Sequence, residues 1–274
     1  MLDDKSKIKV CLIMGYPVKN SKSPAMHSAA YKSLGIEDQF IFLPSEVKPE
    51  KLEEAVNSAR KLKIRGFSVT MPHKETIIKY IDTLDDAAEE IGAVNTVLNE
   101  EDELIGFNTD WLGFLQAVKK KTELTGKKTA VIGAGGAARA IVYALVSNGA
   151  NVKIFNRSIN KAEDLAKEFG TKFGGLEDLS EIENYDIIVN ASSIGMNEEI
   201  SPVNKKLLNK NQIVFDIVYT PKETQLLKDA KDQGAEIIYG YEMLLYQGVE
   251  QFKMFTGFEA PVKDMEQALL KDLK

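Results

Sequence analysis

Short runs of consecutive apolar residues alternate along the chain with longer segments in which apolar residues recur every three or four positions. The short runs are typical of buried strands, and the longer segments of helices that bury one face. In the first half, the pattern predicts strand 9–14, helix 23–34, strand 40–43, helix 49–62, strand 66–70, a short helix after residue 74, and hairpin strands 93–98 and 104–108. Because strands that alternate with helices pair in parallel through right-handed crossovers, we expect an α/β fold.

A second series of strands and helices begins near residue 110. Its predicted elements are strands 129–133, 152–155, 186–190, 213–216 and 236–238, and helices 137–148, 160–169, 223–233, 242–255 and 262–273. A chain of 274 residues is long enough for two domains of ordinary size. The restart of the pattern therefore predicts a second α/β domain, with its boundary near residue 110.

Composition and charge exclude several classes of protein. The chain has 35 basic and 41 acidic residues and a net charge of −6, which argues against wrapping nucleic acid or lying on an anionic membrane. Cys11 has no partner for an internal disulfide and lies in an apolar run, so we expect it to be buried. His27 and His73 are far apart in sequence, and we expect no metal site. Residues 1–7 include acidic residues and lack the apolar run of a signal peptide, so we expect a cytoplasmic protein.

Residues 129–140 (TAVIGAGGAARA) form the most distinctive ligand-binding pattern in the chain. They fit the pattern G-x-G-x-x-A between a predicted strand and a predicted helix. Gly133 permits a tight turn, Gly135 lets the backbone approach a pyrophosphate, and Ala138 lets the helix pack closely on the sheet. The alternative is a tight turn without a ligand. The pattern predicts a Rossmann-type dinucleotide site, whose loop consists of Gly133, Ala134, Gly135, Gly136 and Ala137.

The end of the next strand indicates which dinucleotide is bound. An acidic residue there would bind the ribose 2′-hydroxyl of NAD, but Phe155 is followed by Asn156, Arg157 and Ser158. The guanidinium of Arg157 and the hydroxyl of Ser158 suit a phosphate, which favours NADP. The alternative is that Arg157 is an ordinary solvated surface residue.

Seven further segments carry distinctive residues: 15–27 (GYPVKNSKSPAMH), 68–74 (SVTMPHK), 91–96 (IGAVNT), 106–110 (GFNTD), 190–196 (NASSIGM), 216–221 (DIVYTP) and 240–248 (GYEMLLYQG). Together with the glycine loop and residues 156–158, and in this order over residues 9–258, they resemble the shikimate dehydrogenase family. One departure is Ser28, where many relatives carry Asn after the His.

Ser21 and Ser23 lie two positions apart, directly before a predicted helix. Two hydroxyls beside a helix N-terminus suit a carboxylate ligand. The alternative is that Ser23 is the N-cap, with Pro24 at the first helical position and Ser21 in a turn. The resemblance implies that both serines bind the substrate carboxylate.

Thr70 and Lys74 flank a proline turn at the end of a predicted strand, where ligands collect in open α/β sheets. A lone lysine is usually a solvated surface charge, but the resemblance assigns Lys74 a catalytic role. Asp110 lies where the chain enters the second domain and is expected to face the cleft. Its alternative is an acid at a helix N-terminus. Which of Lys74 and Asp110 is the formal acid or base stays open.

Asn95 and Gln247 carry amides that can read ring hydroxyls, or can bind loop backbone instead. The resemblance implies that both lie with Lys74 and Asp110 around the substrate ring. Tyr219 is expected to reach towards the carboxylate end. The resemblance also implies cofactor contacts from Ile217, Gly240 and Met243.

The resemblance therefore predicts an NADP-dependent reduction of 3-dehydroshikimate to shikimate, on the route to chorismate and the aromatic amino acids. The alternatives are a quinate/shikimate dehydrogenase of relaxed specificity and a non-catalytic NADP-binding regulator. Residues 1–110, completed by helices within 241–274, are expected to form the substrate domain, and residues 111–240 the NADP domain, with the cleft between them. A homodimer is a further expectation.

Overall fold

The computed structural model describes residues 8–273. Residues 1–7, on which the prediction about a signal peptide depends, lie outside this range. The chain divides into two compact units. One contains the chain up to Thr109 together with Gln247–Asp272, and the other contains Asp110–Tyr246. In the described range, no helix has both the length and the apolar character needed to cross a membrane.

The strands and helices follow the predicted order with small shifts at their ends. The strands are β1 (Lys9–Gly15), β2 (Phe40–Glu46), β3 (Gly66–Val69), β4 (Thr83–Leu84), β5 (Thr96–Glu100), β6 (Glu103–Phe107), β7 (Lys128–Ile132), β8 (Asn151–Phe155), β9 (Lys172–Gly174), β10 (Ile187–Asn190), β11 (Ile213–Asp216) and β12 (Glu236–Ile238). The α-helices are α1 (Ser23–Leu34), α2 (Leu52–Lys61), α3 (Asp86–Ile91), α4 (Asp110–Val118), α5 (Gly136–Ser147), α6 (Ile159–Phe169), α7 (Gln225–Asp232), α8 (Gly240–Thr256) and α9 (Val262–Asp272). The predicted α/β class is confirmed.

The first unit is built on a mixed sheet with the strand order β2-β1-β3-β5-β6-β4. β1 pairs in parallel with β2 and β3, whereas β5 is antiparallel to both β3 and β6. The predicted hairpin is therefore present, and Glu101 and Asp102 in its turn have positive φ. Helix α2 packs one face, Leu52, Val56 and Ala59, into the core under this sheet.

The second unit is built on a parallel sheet with the order β12-β11-β10-β7-β8-β9. In chain order this is 6-5-4-1-2-3, the doubly wound Rossmann arrangement. The strand order reverses between β7 and β10, and ligands bind at such a switch point, outside the carboxyl ends of the strands. The glycine loop follows β7 directly and so lies at this point.

Two details of the sequence prediction are wrong. The N-cap of α1 is Lys22, whose side chain makes no capping bond, and Ser23 is already the first residue of the helix. Instead, Ser21 Oγ accepts the backbone N–H of Ser23 at 3.3 Å, so the hydroxyl one step further upstream satisfies the helix end. The pattern also misses β4 and β9, because strands of two and three residues at sheet edges contain no apolar run.

Candidate active site

The glycine loop is shaped by close backbone packing on one side and open space on the other. Gly133 has a φ of 126°, and its N–H donates to the carbonyl of Phe155 at 2.8 Å. A Cβ at this position would lie 2.8 Å from the carbonyl oxygen of Ala191, so only glycine fits. A Cβ at Gly135, the N-cap of α5, would meet no atom within 4 Å. The space beside Gly135 at the N-terminus of α5 is therefore open, and a helix N-terminus of this kind can bind an anion.

Ala138 is fully buried at the start of α5, where the glycine pattern calls for a small residue. At the tip of β8, Asn156 Nδ2 donates to the carbonyl of Ser158 at 3.0 Å and so shapes the turn into α6. Ser158 is the N-cap of α6 but makes no side-chain capping bond. Arg157 is exposed and forms no ion pair with any residue from 8 to 273. An exposed guanidinium and a hydroxyl at this strand tip are groups that can bind a phosphate.

A buried polar network links the carboxyl ends of β10 and β11. The carboxylate of Asp216 accepts hydrogen bonds from Asn190 Nδ2 at 2.9 Å, from the backbone N–H of Val218 at 3.0 Å and from Thr224 Oγ1 at 2.6 Å. Asp216 is fully buried, and this burial raises the pKa of its carboxyl to about 6, against the opposing effect of the three donors. Sequence patterns did not reveal this network, because Asn190 lies 26 positions from Asp216 and only the pairing of β10 with β11 brings the two together.

The segment directly after Asp216 contains the predicted site residues Ile217 and Tyr219, and the start of α8 packs against it. A Cβ at Gly240 would lie 2.5 Å from the carbonyl oxygens of Ile217 and Val218, so α8 begins in close contact with this segment. Tyr219 is half-buried, and burial raises the pKa of its phenol. Met243 is buried one turn into α8. Within the second unit, Ile217, Gly240 and Met243 thus share one neighbourhood at the end of β11.

In the first unit, hydrogen bonds hold the turn after β3 in place. The backbone N–H of Thr70 donates to the carbonyl of Met14 at 2.9 Å, and the carbonyl of Lys74 accepts the N–H of Val94 at 2.8 Å. His73 is buried, and its Nε2 is 2.6 Å from the carbonyl oxygen of Val47, to which it donates. The turn that carries Thr70 and Lys74 is therefore anchored to three neighbouring segments.

Asn95 lies directly after Val94 and is the centre of a second buried network. Its Oδ1 accepts the backbone N–H of Thr109 at 2.7 Å and the hydroxyl of Thr96 at 2.7 Å. Its Nδ2 donates to Thr109 Oγ1 at 3.0 Å and to Gln247 Oε1 at 3.4 Å. The sequence left substrate binding and backbone binding open for Asn95, and the structure shows that it makes backbone bonds.

Gln251 is a member of this network that the sequence analysis missed. It lies one turn after Gln247 on α8 and is almost fully buried. Its Nε2 donates to the carbonyl of Asn95 at 3.1 Å and to Thr96 Oγ1 at 2.9 Å, and its Oε1 accepts the hydroxyl of Ser68 at 2.7 Å. Two glutamines four positions apart on an otherwise apolar helix face are the signal that would have revealed it.

The remaining predicted residues lie as follows. Asp110 is the first residue of α4 and is buried, while Ser23 is buried and Ser21 half-buried at the start of α1. Cys11 is fully buried, as predicted. His27 is also fully buried, stacked on the ring of Phe42 with centroids 4.2 Å apart.

Comparison with known proteins matches the whole course of the chain. Residues 13–97 match the model of the shikimate dehydrogenase substrate binding domain, residues 116–226 that of shikimate / quinate 5-dehydrogenase, and residues 240–270 that of the shikimate 5'-dehydrogenase C-terminal domain. A shikimate dehydrogenase (NADP(+)) from Pyrococcus furiosus is 45% identical over 267 residues, which cover 97% of both chains. This chain belongs to the shikimate dehydrogenase family. The resemblance stated from its motifs is confirmed.

Solved members of the shikimate dehydrogenase family share the fold closely. One, in complex with NADP+, has a TM-score of 0.92 and 39% identity and covers 99% of both chains. Another, from Thermus thermophilus in complex with NADP(H) and shikimate, has a TM-score of 0.90 and 36% identity, and covers 97% of this chain and 100% of its own. The relatives therefore match both compact units, not the cofactor fold alone.

Proposed function

We propose that this protein is an NADP-dependent shikimate dehydrogenase, which interconverts 3-dehydroshikimate and shikimate on the route to chorismate. One structural observation carries the proposal. The backbone bond from Val94 N–H to the Lys74 carbonyl joins the proline turn to the strand end that carries Asn95. This bond ties the turn that carries Lys74 to the segment that carries Asn95 in the first unit, and it supports our proposal that the two residues belong to one reaction centre, while the second unit carries the glycine loop.

The second unit fits NADP on its own geometry. The backbone of Gly135 and the N-terminus of α5 take the pyrophosphate, and Arg157 and Ser158 take the 2′-phosphate. Ala134, Gly136, Ala137 and Asn156 complete the loop contacts, and Ile217, Gly240 and Met243 border the nicotinamide. When bound, the cofactor supplies or accepts the hydride. The protein orients the reacting groups and manages the proton.

Lys74 and Asp110 manage that proton. In the reducing direction, negative charge develops on the substrate's ring oxygen, and the Lys74 ammonium stabilises this charge and donates a proton to it. Asp110 accepts a hydrogen bond from a substrate hydroxyl and shares the acid–base work with Lys74.

The other polar residues bind and orient the substrate. Ser21 and Ser23 donate to its carboxylate beside the N-terminus of α1, and Tyr219 donates at the same end. Thr70, Asn95 and Gln247 bind ring hydroxyls.

We assign substrate binding to residues 1–110 completed by 241–274, and NADP binding to residues 111–240. These bounds differ from those of the two compact units at Asp110 and at residues 241–246, which belong to the second unit. The homodimer and the cytoplasmic location belong to the same proposal. Sedimentation velocity of the purified protein tests the first, and fractionation of the source cells tests the second.

The experiment that tests the function is a matrix of two substrates and two cofactors. The purified protein is mixed with shikimate or quinate and with NADP or NAD, and formation of the reduced cofactor is followed by its absorbance. We expect the highest kcat/KM for shikimate with NADP. A higher value for quinate would favour the enzyme of relaxed specificity, and NADP binding without turnover would favour the non-catalytic regulator.

A further inference from the structure

Asp216 is a buried carboxylate at the end of β11 that no part of the proposed reaction uses. It is fully buried, and its two oxygens accept hydrogen bonds from three donors, one at the end of β10 and two in the connection between β11 and α7. Asn190 ends β10, Val218 lies two residues beyond β11, and Thr224 is the N-cap of α7. A single side chain thus connects the ends of two strands to the start of a helix.

Each of the three partners presents a hydrogen to Asp216. Asn190 uses its Nδ2, because its Oδ1 already accepts the N–H and the hydroxyl of Ser192 at 3.2 and 2.7 Å. Val218 presents its backbone N–H, and Thr224 presents its hydroxyl while the same oxygen accepts the N–H of Leu227. An ionised carboxylate, which only accepts, matches this set of donors.

The carboxylate binds near both ends of one loop, residues 217–224. Tyr219 lies between the two attachment points at Val218 and Thr224. Ile217 lies next to the first point, with its carbonyl against Gly240 at the start of α8. Asp216 therefore holds the backbone on both sides of Tyr219 and next to Ile217, two residues that the proposed function assigns to ligand binding, and Ile217 in turn contacts a third, Gly240.

The outer side of the same loop is held by weaker, exposed interactions. The ammonium of Lys222 lies 5.7 and 5.4 Å from the ring centroids of Tyr239 and Tyr241. Glu223 forms an ion pair with Lys231 of α7 at 2.5 Å. Because exposed pairs of this kind contribute little to stability, the loop depends on its buried attachment.

We propose that Asp216 is a positioning residue for cofactor binding, and that its carboxylate holds loop 217–224 in the conformation that receives the nicotinamide half of NADP. The proposal rests on the proposed function and adds to it a residue that touches neither the cofactor nor the substrate. It also explains why a charge is buried at this place. Burial raises the pKa of Asp216 to about 6, so the ionised form that prevails at neutral pH makes the folded protein less stable than a neutral side chain would.

The test is the variant Asp216→Asn in the full-length protein, with Asp186→Asn as the matched control. Asparagine keeps the oxygen that accepts from Asn190 and Val218, but it removes the charge and points an amide at the Thr224 hydroxyl. Asp186 directly precedes β10 and so lies at the amino ends of the strands, whereas Asp216 lies at their carboxyl ends. The carboxylate of Asp186 accepts the N–H of Lys128 at 2.8 Å. The melting temperature without ligand and the Kd of NADPH by calorimetry are measured for both variants and the wild type.

We expect Asp216→Asn to melt at or above the temperature of the wild type and to bind NADPH about fivefold more weakly, since a smaller fraction of molecules holds the loop ready. Asp186→Asn should leave the Kd unchanged. An unchanged Kd in Asp216→Asn would overturn the proposal. So would a weaker Kd that comes with a lower melting temperature, or a variant that does not fold, since either marks a merely structural role. A wild type that does not bind NADPH would instead overturn the proposed function.

Discussion

The side-chain oxygen of Asn95 accepts the backbone N–H of Thr109 at 2.7 Å. Thr109 directly precedes Asp110, so an amide proposed to bind substrate also fixes the chain that leads into a proposed catalytic residue. The two interpretations of Asn95 that the sequence left open are thus compatible. Its oxygen and its Nδ2 both bond within this network, so in the proposed function a ring hydroxyl replaces the long Gln247 contact of 3.4 Å or is bound by the residues that Asn95 positions.

Asn95→Ala should consequently lower both stability and substrate affinity. The N–H of Thr109 and the hydroxyl of Thr96 would lose a buried acceptor, at a cost of about 1–3 kcal/mol in the free energy of unfolding. Urea unfolding measures this loss, and the KM for shikimate should rise in the same variant. Asn57→Ala, on the exposed face of α2, is the control and should change unfolding by less than about 0.5 kcal/mol. Equal stabilities of the two variants would show that Asn95 does not hold the chain at Thr109.

Arg157→Ala should weaken NADP binding much more than NAD binding, because only NADP carries the 2′-phosphate. A charge-assisted contact is worth about 1.5–3 kcal/mol, or roughly 10- to 150-fold in Kd. Arg157→Lys keeps the charge without the planar fork and should give an intermediate loss. Calorimetry with both cofactors checks this. Equal losses for NADP and NAD would place Arg157 outside the phosphate site.

His27→Phe should raise the free energy of unfolding, and this increase should be larger at lower pH. Both ring nitrogens of His27 are buried without a hydrogen-bond partner, and burial lowers the pKa of the imidazole to about 3. The unfolded chain therefore binds a proton below about pH 6.5 that the folded protein does not bind, and stability falls by up to about 1.4 kcal/mol per pH unit between these values. Phenylalanine abolishes this penalty and keeps the stack on Phe42. Unfolding free energies of both proteins at several pH values measure the difference, and a pH-independent difference would disagree with this explanation.

The cofactor site could be predicted from the sequence because its parts are local. Gly133, Gly135 and Ala138 lie within one strand–turn–helix unit, and Arg157 follows the next strand. The N-cap of α1 was misplaced by one residue, since the hydroxyl that binds the helix end belongs to Ser21 and a pattern of residue types does not separate the two serines.

The buried networks could not be predicted, because they join residues that only the folded sheet brings together. Gln251 bonds to Asn95 and Thr96 across more than 150 positions, and Asp216 bonds to Asn190 across 26. In the sequence, these residues are isolated or paired polar positions inside apolar segments or at their ends, and nothing local marks them as partners. Which of these residues come into contact depends on strand order and register, and hydrophobic periodicity does not specify either.

The central claim is that Lys74 handles the proton in an NADP-dependent oxidation of shikimate. Its most direct test is the kcat of Lys74→Met with shikimate and NADP, measured beside Lys79→Met, which removes an exposed lysine from the same segment of the chain. We expect kcat to fall about 10²–10⁴-fold in Lys74→Met and to stay unchanged in Lys79→Met. The Kd of NADPH should match the wild type in both variants, because the glycine loop belongs to the other unit. A Lys74→Met enzyme with the kcat of the wild type would contradict the account.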